Sequence, residues 1–223
     1  SGSLGATIRN IPKSPLLDQF DMALEAVLSN TKGASGLNNK TTAVVNIPLV
    51  DNQLAMRLVA YRFKNQGYTD LVSSSDPSKL AEAAATGGIL SDAKGEGDIE
   101  YTGGRFSVLW QPTNELAVTL IHLTQKLEQD GYNDVDLTQG TYESTAFSLE
   151  GHLGGSEFLG DQVDITNLVI EYDLGWGSLV ATSAVSKGTV DRVRDLGRYG
   201  LPGTAQGAEA STDDDFQEIR LST

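Results

Sequence analysis

Thr42-Ala-Val-Val-Asn-Ile-Pro-Leu-Val-Asp-Asn-Gln-Leu-Ala-Met-Arg-Leu-Val-Ala-Tyr61 is a run with β character, a tight Asx turn and a second such run. Within it, Val45 and Ile47 alternate with Val44 and Asn46, and Leu54, Met56, Leu58 and Ala60 stand opposite Arg57. Side chains alternate across a strand with period 2, so each arm has one apolar face and one mixed face. The pattern recurs in Phe106-Ser-Val-Leu-Trp-Gln-Pro-Thr-Asn-Glu-Leu-Ala-Val-Thr-Leu-Ile121 and in Leu168-Val-Ile-Glu-Tyr-Asp-Leu-Gly-Trp-Gly-Ser-Leu-Val-Ala-Thr-Ser183. The three turns centre on Asp51, Asn114 and Gly177, 63 residues apart both times. Long polar stretches separate the hairpins.

Short turns at one end and long connections at the other are the layout of an antiparallel meander, and of an outer-membrane barrel. The expected fold is all-β, an antiparallel meander with long loops, read either as about eight strands of a transmembrane β-barrel or as a soluble sandwich. Trp110, Tyr172 and Trp176 lie beside the short turns. Barrels place such rings at membrane–water interfaces, whereas a sandwich places them in its core. Alternation alone fits both, because an apolar face can meet lipid or a second sheet.

Two segments also carry helical spacing: Leu16, Leu17, Phe20, Leu24, Val27 and Leu28, and then Leu116, Leu120, Leu123 and Leu127. The strand reading is favoured for both. Phe20, Met22, Leu24, Ala26 and Leu28 form a period-2 face opposite Asp21 and Glu25, and the second segment occupies a hairpin arm. Residues 71–98 read as a mobile loop, with a helical turn or two at Ser78–Ala85. Residues 129–162 and 188–214 read as further external loops. Structureless loops of this length are uncommon in compact soluble domains.

Composition narrows the function classes. The chain has 223 residues, 39% of them apolar, enough for an ordered fold. Its net charge of −14 argues against a nucleic-acid partner, which demands a basic surface. There is no Cys, hence no thiol catalysis, disulfide or thiolate zinc site. No nucleophile elbow, P-loop or zinc-protease motif is present, so an enzyme is not expected, and no catalytic, cofactor or metal residue is assigned. His152 stands alone in Gly151-His-Leu-Gly-Gly155, and His122 reads as a wall residue of an apolar strand. Asp213-Asp-Asp215 lacks a calcium loop's spacing and reads as a solvated charge run. Asp191-Arg-Val-Arg-Asp-Leu-Gly-Arg198 is the best candidate to meet an anionic ligand, although a salt-bridged loop base is the preferred reading.

Several stretches together resemble the TonB-dependent outer-membrane receptors of Gram-negative bacteria. Ser1-Gly-Ser-Leu-Gly-Ala-Thr-Ile-Arg-Asn-Ile-Pro-Lys-Ser-Pro15 is similar to the end of that family's plug and its exit into the barrel. Asn46–Tyr61 is similar to the first periplasmic turn with its two strands, and Gly67-Tyr-Thr-Asp70 to the passage into the next external loop. Gly103-Gly-Arg-Phe-Ser-Val-Leu-Trp-Gln-Pro-Thr113, Glu171-Tyr-Asp-Leu-Gly-Trp176 and Phe216-Gln-Glu-Ile-Arg-Leu-Ser-Thr223 resemble later strands.

The resemblance implies a division into residues 1–15, the end of the plug, and 16–223, the first part of the barrel. It also implies a fragment, since such receptors carry about 22 strands. The implied activity is TonB-coupled uptake of a ferric siderophore or other scarce nutrient. The implied partners are outer-membrane lipid, the nutrient, and the TonB complex acting through the plug. The competing expectation is a soluble or surface β-rich module that binds carbohydrate. In that case Leu54, Met56, Leu58, Phe106, Val108, Leu168 and Ile170 would be covered by a second sheet.

Overall fold

The computed structural model describes residues 12–72, 93–132, 144–145, 157–195 and 205–223. Among these there is no helix. One antiparallel sheet of eight strands dominates. Its members are β1 (Asp21–Asn30), β2 (Leu37–Val50), β3 (Leu54–Asn65), β6 (Asp98–Trp110), β7 (Leu116–Asp130), β9 (Phe158–Asp173), β10 (Ser178–Asp195) and β11 (Ala205–Ser222). They lie in that order, each hydrogen-bonded to its neighbours in sequence. The short strands β4 (Thr69–Val72), β5 (Ala93–Glu96) and β8 (Ser144–Thr145) form a second sheet in the order β5-β4-β8.

The three short connections are built by local chemistry. Between β2 and β3, Asn52 adopts φ 55° and the Gln53 amide donates to Val50 O at 3.0 Å. Asn tolerates this left-handed conformation better than most residues. Pro48, which has no amide hydrogen, sits at the register shift just before this turn. Between β6 and β7, Thr113 Oγ1 accepts from the amides of Glu115 and Leu116 at 3.3 and 3.2 Å. Between β9 and β10, Asp173 Oδ1 accepts from the Gly175 amide at 2.8 Å, and Gly175 supplies φ 77°. The turns are also tied sideways. Gln111 N donates to Gln53 O at 2.7 Å and Asp173 N to Glu115 O at 2.8 Å, which joins successive hairpins into one rim.

The register turns each expected period-2 pattern into a face. Met56 pairs with Val108, Val108 with Leu120, and Leu120 with Leu168, so one apolar row crosses four strands. The helical spacing at Leu116–Leu127 has no structural consequence. In β7, Leu116 and Leu120 lie on the apolar face while Leu123 and Leu127 lie on the other. Likewise Asp21–Asn30 is a strand, and residues 12–20 before it are irregular, without helix.

All three loop stretches differ in part from the sequence reading: within 129–162, residues 129–130 belong to β7, Ser144–Thr145 is β8, and residues 158–162 belong to β9. Residues 188–214 are mostly strand, because β10 and β11 pair continuously from Ser178↔Ser222 to Asp195↔Ala205. Part of 71–98 is strand as well: β5 pairs with β4, and β6 begins at Asp98. Polar, Gly-containing sequence pairs here because backbone hydrogen bonds extend a hairpin past its apolar belt. The expected helical turns at Ser78–Ala85 lie outside the described residues, as does His152.

Candidate functional site

The sheet has almost no interior of its own. Ala55 is the one fully buried apolar residue among those described. Most of the exposed large apolar side chains stand on one face, where Leu58, Phe106, Leu120 and Ile170 are 36–41% accessible and Leu24 is 73% accessible; Val27, Ile165 and Phe216 are exposed on the other. No second sheet covers them among the described residues. A contiguous exposed belt of this kind marks an interaction surface rather than an ordinary soluble exterior. On β3 it runs from Leu54 to Ala60, about 20 Å at ~3.4 Å per residue. That approaches the ~25 Å apolar band of membrane barrels.

The belt has chemically distinct borders. At the turn rim, Trp110, Tyr172 and Trp176 are 46%, 43% and 65% accessible. At the far border His122 stands exposed beside Phe106, its Nδ1 3.0 Å from Thr166 Oγ1. Beyond it the same face turns ionic. Arg62 Nη2 donates to Glu100 Oε2 at 2.9 Å, Lys64 Nζ lies 2.9 Å from Asp98 Oδ2, and Lys126 Nζ lies 2.6 Å from Glu128 Oε1. In this outer region burial opposes the Asp98 carboxylate, but the Gly67 amide and the Lys64 ammonium outweigh it and hold its pKa down. Glu96 goes the other way: burial raises its pKa, and the Asp130 and Asp98 charges add to the rise.

The opposite face is mixed. Its turn end carries a polar row in register: Asp21 of β1, Asn46 of β2, Arg57 of β3 and Ser107 of β6. Asn46 is fully buried. Its Oδ1 accepts from Leu16 N at 2.8 Å, and its Nδ2 donates to Leu16 O at 2.9 Å and Gln19 O at 2.8 Å. Asn52 N also donates to Leu17 O at 3.1 Å. The segment before β1 is thereby strapped across this face.

The residues singled out from sequence are scattered. Asp191, Arg192 and Arg194 lie in β10, not in a loop, and Arg194 stacks 4.8 Å from the Tyr132 ring centre. Asp213, Asp214 and Asp215 are exposed within β11, and Asp213 sits opposite Lys187. The row that sequence reasoning missed is Asn46, Arg57 and Ser107. Its signal was polar residues at the non-apolar positions of arms destined to pair.

No family model and no curated protein matches the chain. Solved structures do resemble it. A mutant of the ferric enterobactin receptor PfeA of Pseudomonas aeruginosa aligns with TM-score 0.61 and 12% identity, over 94% of this chain and 29% of that one. The siderophore receptor PirA of Acinetobacter baumannii aligns with TM-score 0.57 and 16% identity, over 94% of this chain and 27% of the other. The chain thus spans less than a third of either receptor. Likeness at this identity speaks for the fold alone: the eight-stranded antiparallel sheet is that of a receptor-type β-barrel wall.

Proposed function

We propose that the chain is a wall segment of a TonB-dependent outer-membrane receptor that takes up a ferric siderophore or similar large nutrient. The observation that carries this is the uncovered apolar belt, edged by Trp110 and Tyr172 on one side and by ion pairs on the other. In water such a surface is a liability, and against acyl chains it is the stable arrangement. The siderophore receptors named above support the choice of ligand class. On this reading the mixed face lines the barrel lumen. Residues 1–15 are the end of a plug, and Leu16–Gln19 is the strap by which the plug leaves the wall. TonB acts through the plug, and the chain itself does no chemistry. A carbohydrate-binding sandwich needs a second sheet over Met56 and Val108, and among the described residues none is there.

The test is made in cells that express the protein. It should sediment with the outer membrane and migrate differently in heated and unheated samples. Leu58→Cys and Val108→Cys variants should react with a lipid-phase thiol probe. Uptake of radioactive iron as a siderophore complex should need an energised TonB system. A soluble protein whose Cys variants are fully protected from the probe overturns the reading.

A further inference from the structure

The turn end of the mixed face holds more buried positive charge than it satisfies. Arg57 is 7% accessible, yet its Nε and Nη1 make no hydrogen bond. Among the described residues its ion-pair partner is Asp21, whose Oδ2 lies 3.7 Å from Nη1, beyond hydrogen-bond distance. Ser107, directly opposite Arg57 in the register, is 1% accessible with an unpartnered Oγ. Arg105 is the diagonal neighbour of Arg57 across the β3–β6 pair, a placement of about 7–8 Å between backbones. Its Nε is buried without a partner, and its Nη2 makes only a 3.4 Å contact to Lys13 O. Buried donors and charges are costly unless met by acceptors, and Asp21 alone cannot balance two guanidinium groups.

We propose that Arg57, Arg105 and Ser107 form an oxyanion site on the mixed face, and that its ligand is a carboxylate. The free donors, Arg57 Nε–H and Nη1–H, Arg105 Nε–H and the Ser107 hydroxyl opposite Arg57, are N–H and O–H groups that charged oxygens accept from. Charge selects the ligand. Two guanidinium groups less Asp21 leave one positive charge, which a carboxylate neutralises and a phosphate dianion exceeds. The carboxylate comes from a side chain of polypeptide packed on this face or from a free small acid. Polypeptide already lies beside the site, since Leu16 and Gln19 bond to Asn46, the register partner of Arg57. The site is read from this chain's own atoms and stands apart from the receptor assignment.

The test is urea unfolding of the full chain in detergent micelles, with sodium acetate compared against sodium chloride at equal ionic strength. Acetate should raise the unfolding midpoint saturably, and inorganic phosphate should raise it less. Arg57→Met and Arg105→Met should abolish the acetate effect, while Arg62→Met, placed in the outer ion pairs, should keep it. An end-blocked aspartyl peptide that works at lower concentration than acetate identifies a polypeptide carboxylate as the ligand, and equal potency identifies a free acid. A midpoint indifferent to acetate, or an equal rise in Arg57→Met, overturns the proposal. Should the variants not fold, arginine Nε–H resonances of the wild-type chain decide. Two signals moving together with acetate support the site, and none moving overturns it.

Discussion

The Tyr61 ring lies across Gly103. The two are register partners on the mixed face, and the Tyr61 hydroxyl reaches over the glycine to donate to Gln125 Oε1, one strand further on, at 2.6 Å. A Cβ on residue 103 would stand 2.6 Å from Tyr61 Oη and 2.7 Å from Thr124 O. The backbone oxygen cannot move aside, so Gly103→Val should lower stability by about 1–3 kcal/mol, as overpacking does. Tyr61→Phe should cost about 1 kcal/mol through the lost hydrogen bond. Gly207→Ala, where nothing lies within 4 Å, should be neutral or slightly stabilising. Urea midpoints of the three variants in micelles check the order.

Asn46 holds the strap with one accepted and two donated hydrogen bonds from a fully buried position. Asn46→Ala leaves the Leu16 and Gln19 backbone groups without those partners, at about 1–3 kcal/mol. The strap should detach before the sheet unfolds. Trypsin should then cut after the exposed Lys13 several-fold faster than in wild type, while the β2–β3 hairpin stays intact. Equal cutting rates would show that Asn46 does not anchor the segment.

Glu96 and Asp98 should respond to pH in opposite senses. Glu96 has a raised pKa, so the folded chain binds its proton more tightly than the unfolded chain does. Its penalty is present at neutral pH and fades as pH falls through the raised value. Asp98 has a lowered pKa, so its contribution is present above the ordinary carboxylate range and is lost as pH falls through the lowered value. Glu96→Gln should therefore raise the unfolding midpoint at pH 7 and change it little near pH 4, whereas Asp98→Asn should lower it at pH 7. Midpoints measured across that interval decide both signs.

The apolar belt gives a prediction that separates lipid from water. Val108→Arg puts a charge in the middle of the belt and should cost about 2–4 kcal/mol when the protein is folded into lipid vesicles. Thr102→Arg, on the same face but beyond the belt, should cost about 1 kcal/mol or less. Equal costs at the two positions would mean that the belt does not sit in a membrane.

Much of the sheet was legible in the chain. Asp51-Asn-Gln53 and Asp173-Leu-Gly-Trp-Gly177 announce tight turns through their Asx and Gly chemistry, and the flanking period-2 runs name their own apolar faces. Leu116–Leu127 shows why period 2 outranks accidental helical spacing: four leucines that line a helix face are divided between the two faces of a strand. The outer halves of β10 and β11 were not legible. Gly188–Asp195 pairs with Ala205–Thr212 through the backbone ladder, and a ladder needs no particular side chain.

Sequence by itself determined the all-β class, the three short hairpins and the identity of the apolar face, because turn propensity and alternation are local properties of the chain. Only the tertiary structure decided that no second sheet among the described residues covers that face, and what the other face holds. Lining up Met56 with Val108, strapping Leu16 to Asn46, laying Tyr61 over Gly103 and setting Arg57 beside Arg105 all depend on the register between strands. Within a hairpin the turn sets the register, but between hairpins, as for β3 and β6, it is a long-range outcome of many weak backbone bonds and cross-strand contacts acting together.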